Sequence, residues 1–268
     1  VGKNSLKDNT QSFNTAFGSG AGESNTSGQH NTFLGLNSGN TNTSGSHNTI
    51  VGGSAGHSSG NGSYRTFIGR EAGAFVSGGF NTSVGYQALM GVSGQSSGAS
   101  NTAVGYQAMT DHTTGIDNTA LGTLALHANT TASNNTAIGK SALTSNTTGG
   151  LNTALGSLTL ENNTTASGNT GIGARALRAN TTGHTNTAVG QQALLSNVDG
   201  FRNTALGNDT LRSNTTGVEN VAIGSFALDL STTASNNVAI GFNGLNACTT
   251  GSGNTVLGSS AGKSVTTA

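Results

Sequence analysis

The sequence predicts an all-β solenoid with coils of 17 residues, and three observations predict it. An Asn recurs at 14, 31, 48, 81, 101, 118, 135, 152, 169, 186, 203, 220, 237 and 254, almost always 17 apart. The fifth residue counted from that Asn is Gly in every unit, from Gly2 to Gly258. The twelfth to fifteenth commonly read Asn-Thr-Thr-Gly or Asn-Thr-Thr-Ala, as at 146–149, which is turn chemistry. Self-similarity at a fixed period takes precedence over local propensity when a fold is read.

The unit at 135–151, NTAIGKSALTSNTTGGL, shows the parts in order. A strand of about four or five residues opens it, with Thr at the second place and a large apolar residue at the fourth, such as Phe17, Leu34, Val51, Ile68, Ile138 or Leu257. The invariant Gly marks a corner that needs positive φ or a close backbone approach. A second short strand and an Asn/Gly turn close the coil. A helical repeat is excluded, because such repeats usually run above about 30 residues and Gly, Asn and Thr are poor helix formers. About sixteen coils stacked at about 4.8 Å give a rod of roughly 75 Å. Asn at the first and twelfth places would then stack in hydrogen-bonded ladders.

The whole chain, 1–268, reads as one solenoid domain with irregular coils at 61–100. There Arg65 replaces the ladder Asn, and the spacing becomes 16 and then 20. The chain starts and stops mid-repeat without a polar cap, as expected of a fragment of a longer fibre.

Composition narrows the class. Charged residues are 7 %, against roughly 25 % in a typical soluble domain, and the formal net charge is zero. With no basic patch, nucleic acid is not an expected partner. No run of 18 apolar residues exists, so no membrane insertion is expected. Collagen is excluded because Pro is absent and Gly is not every third residue. Disorder fits poorly, since disordered chains usually carry net charge and Pro. The single Cys248 rules out an intrachain disulfide framework and reads as a small apolar filler.

Side chains alternate across a strand, so the second and fourth places share one face and the third takes the other. The third place is never charged. Where it is bulky the ninth is Gly: Phe33 with Gly39, Ile50 with Gly56, Phe67 with Gly73, Val256 with Gly262. Where it is small the ninth is Leu or Met, as in Ala137 with Leu143 and Ala154 with Leu160, with Ala16 and Gly22 the exception. Volume conserved across two places implies one shared space. Of two readings, the first is the expected one and the second its alternative. In the first, the fourth place lines the coil, and the third and ninth (Phe33, Ile50, Phe67, Ala137, Leu143, Ala154, Leu160) pack between chains. In the second, both line the chain's own interior.

Little in the chain promises chemistry. The stretch at 258–264 imitates a phosphate loop one residue short, and its glycines are ordinary repeat places. Asp111 and His112 have no converging nucleophile, so no enzyme activity is expected. His30 and His47 should stack on adjacent coils but lack acidic or Cys companions, so no metal and no cofactor is expected. Rows of Thr at the thirteenth and fourteenth places raise ice binding as a minor reading. Period breaks map to loops on one face, often a binding face. That makes Arg65, Tyr86, Gln87, Tyr106 and Gln107 the candidate ligand-binding residues; stacked Tyr-Gln pairs suit a sugar ring.

The unit N-T-A-(V/I/L)-G-x-x-A-L, clear at 101–109, 135–143 and 186–194, resembles the repeat of the YadA-like heads of trimeric autotransporter adhesins. It is similar also to repeat shafts of phage tail fibres. The resemblance covers essentially the whole chain. It implies a left-handed parallel β-roll, three chains side by side about a threefold axis, with the third place towards that axis. It implies an extracellular homotrimeric fibre, on a bacterial surface or a virion, attaching to a cell surface through a glycan or protein receptor. The alternative it allows is a tail-fibre shaft acting as a spacer.

Overall fold

The computed structural model of the chain describes residues 2–267. Among them are fifteen strands of three residues each, and no other regular element. The chain divides into two compact units, Val1–Asn134 and Asn135–Ala268. The first holds β1 (Thr15–Phe17), β2 (Thr32–Leu34), β3 (Thr49–Val51), β4 (Thr66–Ile68), β5 (Thr82–Val84), β6 (Thr102–Val104) and β7 (Thr119–Leu121). The second holds β8 (Thr136–Ile138), β9 (Thr153–Leu155), β10 (Thr170–Ile172), β11 (Thr187–Val189), β12 (Thr204–Leu206), β13 (Val221–Ile223), β14 (Val238–Ile240) and β15 (Thr255–Leu257).

Within each unit every strand pairs in parallel with the next, like place against like place: Phe33 with Ile50, Ala137 with Ala154. Each unit is therefore a β-solenoid of about 17-residue coils, as the repeat predicts. The register survives the irregular coils, with Thr66 opposite Thr82 and Thr82 opposite Thr102. Length changes are absorbed outside the strand.

The expected longer strand and second strand are absent. Beyond the corner the coil is all turn, because the seventh, ninth and last places are left-handed: Ser141 (φ 54), Leu143 (φ 52) and Leu151 (φ 60). Such residues cannot continue a strand. Their backbones still pair from coil to coil, as in Leu143 N–H to Thr159 O (3.0 Å) and Leu158 N–H to Lys140 O (2.9 Å). The corner itself meets both expectations. Gly156 sits at φ 136, and a Cβ there would press against the backbone of Gly173 in the next coil.

The face assignment is corrected. Phe33, Ile50, Phe67, Ala137, Leu143, Ala154 and Leu160 are all fully buried inside their own coils. They are core, not inter-chain packing. Fourth-place side chains face outward instead: Leu34 is 44 % and Leu155 43 % exposed. The alternation was right and its sense was reversed. A 17-residue coil is thin, and two Asn rows already fill part of it. The left-handed ninth residue turns its side chain inward across the strand, which leaves room only for Ala opposite Leu. The volume trade is real but lies within the chain. A Cβ on Gly73 would clash with the Phe67 ring, and one on Gly56 would stand 3.0 Å from Ile50 Cδ1.

Both Asn ladders form. At the first place, the side-chain oxygen accepts the backbone N–H of the next Asn: Asn31 to Asn14 (2.9 Å) and Asn48 to Asn31 (3.0 Å) in the first unit, Asn152 to Asn135 (2.9 Å) in the second. At the twelfth place, amide donates to amide, as in Asn42 to Asn25 and Asn197 to Asn180, both 2.8 Å. Apart from Asn14 these Asn are buried, and pairing removes the penalty of an unsatisfied buried amide. Charges stack likewise: Arg178 meets Glu161 at 2.6 Å and Arg212 meets Asp229 at 2.9 Å, each pair one coil apart.

Candidate binding surface

The five candidate ligand residues do not form one site. Arg65 is interior, 1 % exposed, and unavailable to a ligand. Its coil and the one before carry Val76 and Ser59 where the twelfth-place ladder has Asn. The guanidinium fills that break. Nη2 donates to Asn42 Oδ1 (3.3 Å) and Gly60 O (3.2 Å), Nη1 to Ser59 O (2.9 Å) and Val76 O (3.2 Å), and Nε to Asn48 Oδ1 (3.1 Å). Burial lowers its pKa to about 10, so it stays charged at neutral pH. Arg65 is a structural plug, and the correction follows from those acceptors: only a long five-donor group reaches all of them.

Tyr86, Gln87, Tyr106 and Gln107 do come together on the outside. The two Tyr rings stack with centroids 5.5 Å apart and planes 13° from parallel. Gln107 Nε2 donates to Gln87 Oε1 and Gln87 Nε2 to Glu71 Oε2, both 2.8 Å. Arg70 extends the patch, 6.0 Å from the Tyr86 centroid and 3.1 Å from Glu71. The stack covers one face of each ring, and the amide ladder beside it is already paired.

His30 and His47 stack as expected, at 5.0 Å and 10°. The row is longer than the sequence reading had it: Phe13, His30, His47, Tyr64 and Phe80 stack in succession at 4.9–5.2 Å. The signal was present, since each residue directly precedes the first place of a coil. Among the described residues no three His, Cys, Asp or Glu converge on a point that could hold a metal ion. The phosphate-loop imitation runs from β15 into a turn, not a helix. Thirteenth-place Thr hydroxyls donate along the coil stack, as in Thr147 to Thr164 O (3.1 Å) and Thr215 to Thr232 O (3.0 Å). Their protons are thus used within the coil stack.

The irregular coils do produce a recess, which sequence reasoning placed only by zone. The 16-residue coil from Arg65 is one residue short in its outer turn, and the 20-residue coil from Asn81 is three long there. Between the withdrawn turn and the overhanging one lies a cleft of about 220 Å³, with Ser58, Phe75, Ser77, Gln95 and Ser97 in its wall.

His112 stands beneath the overhang at the twelfth place, where Asn is usual. It is fully buried, with Nδ1 unpartnered and Nε2 3.4 Å from Asn101 Nδ2. Burial lowers its pKa to about 4.

Comparison of the chain with protein-family models, with curated proteins and with solved structures gives no match.

Proposed function

We propose that the chain is a segment of an extracellular homotrimeric fibre that attaches to a cell surface or glycan. One observation carries the reading. In each unit the outward strand face repeats Thr or Val at the second place and Leu, Ile, Val or Phe at the fourth, half-exposed in coil after coil. Long apolar stripes of this kind mark interaction surfaces in soluble proteins. Three copies of the chain about one axis would cover it. The resemblance to YadA-like heads supports such an arrangement as a left-handed roll, now with the fourth place rather than the third towards the axis. Shared attachment points then add avidity to weak contacts. A bacterial surface or a virion is the matching location, and the surface described above favours adhesion over catalysis.

Sedimentation of the purified chain, followed by glycan-array and cell-adhesion assays on the same material, tests this. A trimer that adheres is expected. A folded monomer removes the trimeric fibre. A trimer that adheres to nothing transfers the reading to a spacer shaft of the tail-fibre kind. The unbroken 17-residue spacing from Asn101 to Asn254 favours that second reading, because a uniform shaft needs nothing more.

A further inference from the structure

We propose that the cleft at the step between the short and long coils is a binding site for a single neutral sugar ring. The proposal rests on the adhesion reading for its biological sense and on the cleft's own chemistry for its ligand.

The step exists because two length changes fall at the same turn of successive coils. Ser77 N–H donates to Ser96 O (2.8 Å), which fixes Ser96 as the equivalent of Ser77 one coil on. The three extra residues of the long coil therefore lie between Met90 and Ser96 and arch outward. The short coil, lacking one residue just after Ser77, draws back beside them. Elsewhere the same turn commonly carries Asn-Thr.

The arch is braced rather than loose. Val92 N–H donates to Ser96 Oγ (2.6 Å) and Gln95 N–H to Val92 O (3.0 Å), closing a tight turn. Ser96 Oγ in turn reaches His112 O (2.5 Å) in the coil below, and Ser77 Oγ donates to Ser96 O (3.0 Å) from the coil above. A wall held from both sides is preorganised, so binding loses little to ordering.

The lining selects the ligand class. Ser58, Ser77 and Ser97 bring hydroxyl oxygens, that of Ser58 already paired with His57 Nδ1 (2.8 Å) and that of Ser77 donating to Ser96 O, while Gln95 adds an exposed amide and Phe75 a half-buried ring. No charged side chain lines the cleft, so nothing there compensates a phosphate, carboxylate or ammonium group. Hydroxyls and an amide beside one apolar ring match a molecule with many hydroxyls and one apolar face. Ordinary ligand pockets span roughly 300–1,000 Å³. At about 220 Å³ this one admits one ring, and a longer glycan would place its terminal residue here and leave the rest outside.

Saturation-transfer NMR on the intact chain tests the site, with galactose, glucose, mannose and N-acetylglucosamine as probes and sialic acid and inorganic phosphate as charged controls. Transfer to at least one neutral sugar and to neither control is expected. Ser97→Tyr, which fills the cleft, and Gln95→Ala, which removes its amide, should each weaken binding by about ten-fold or more with an unchanged melting temperature. Lys140→Ala, at an exposed position in the second unit, should leave transfer intact. Absence of transfer from every neutral sugar, or transfer that survives Ser97→Tyr, overturns the site. The unsubstituted chain in the cell-adhesion assay separates the two readings. Adhesion without sugar transfer removes the cleft and keeps the adhesin; transfer abolished by Ser97→Tyr in a chain that adheres to nothing keeps the cleft and removes the adhesin.

Discussion

The ring of Phe33 stands where a side chain on Gly39 would have to go. The two residues share one interior space, and the left-handed backbone at Gly39 (φ 57) is what aims that place inward. In most coils the same space is divided the other way, as by Ala137 and Leu143.

Exchange across this pair is therefore testable. Ala137→Phe alone should overpack its coil and cost about 1–3 kcal/mol. Adding Leu143→Gly should restore most of that, since Gly also relieves a left-handed residue (φ 52). Chemical denaturation of the two single variants and the double variant measures the coupling. Additive losses would mean that the two side chains do not share a space.

The outward stripe predicts the opposite sensitivity. Leu155→Asn together with Ile172→Asn should change the stability of the isolated coil by less than about 1 kcal/mol, as at other exposed sites. The same pair should abolish self-association in sedimentation. A large loss of folding, with assembly intact, would return these residues to a core role.

The twelfth-place ladder of the second unit stops at Asn214, whose Oδ1 has no partner, because the next coil offers Ser231, whose Oγ has none either. Ser231→Asn should extend the ladder by one amide and stabilise the protein by about 1 kcal/mol, read as a rise in melting temperature. An unchanged or lower value would show that this coil is too narrow for Asn.

Acid should weaken the first unit through His112. Its folded pKa is lowered to about 4 from 6.5 by burial. The unfolded chain thus binds a proton below about pH 6.5 that the folded chain refuses until about pH 4, so stability is full at neutral pH and falls across that window. The total loss is on the order of 3 kcal/mol. Asp111 is engaged with His127 at 3.7 Å and offers His112 no compensating bond. His112→Asn should flatten this part of the pH profile. An identical profile in the variant would assign the acid response elsewhere.

The sequence by itself determined the coil, its period, the Gly corner, the two Asn rows and the paired volumes of the third and ninth places. Each is a periodic constraint, and stacking identical residues makes every such constraint visible many times. Tertiary structure alone decided which strand face is inside. Alternation reports two faces without naming them, and the larger apolar residues of the fourth place pointed the wrong way. The decision lay in left-handed residues such as Leu143, whose conformation no composition rule signals because Leu seldom adopts it. The same limit applies to Arg65, which reads as an exposed break in the ladder and proves to be its buried repair. It applies again to the cleft: the sequence shows that one coil is short and the next long, but only the stacked coils show both changes meeting at one turn.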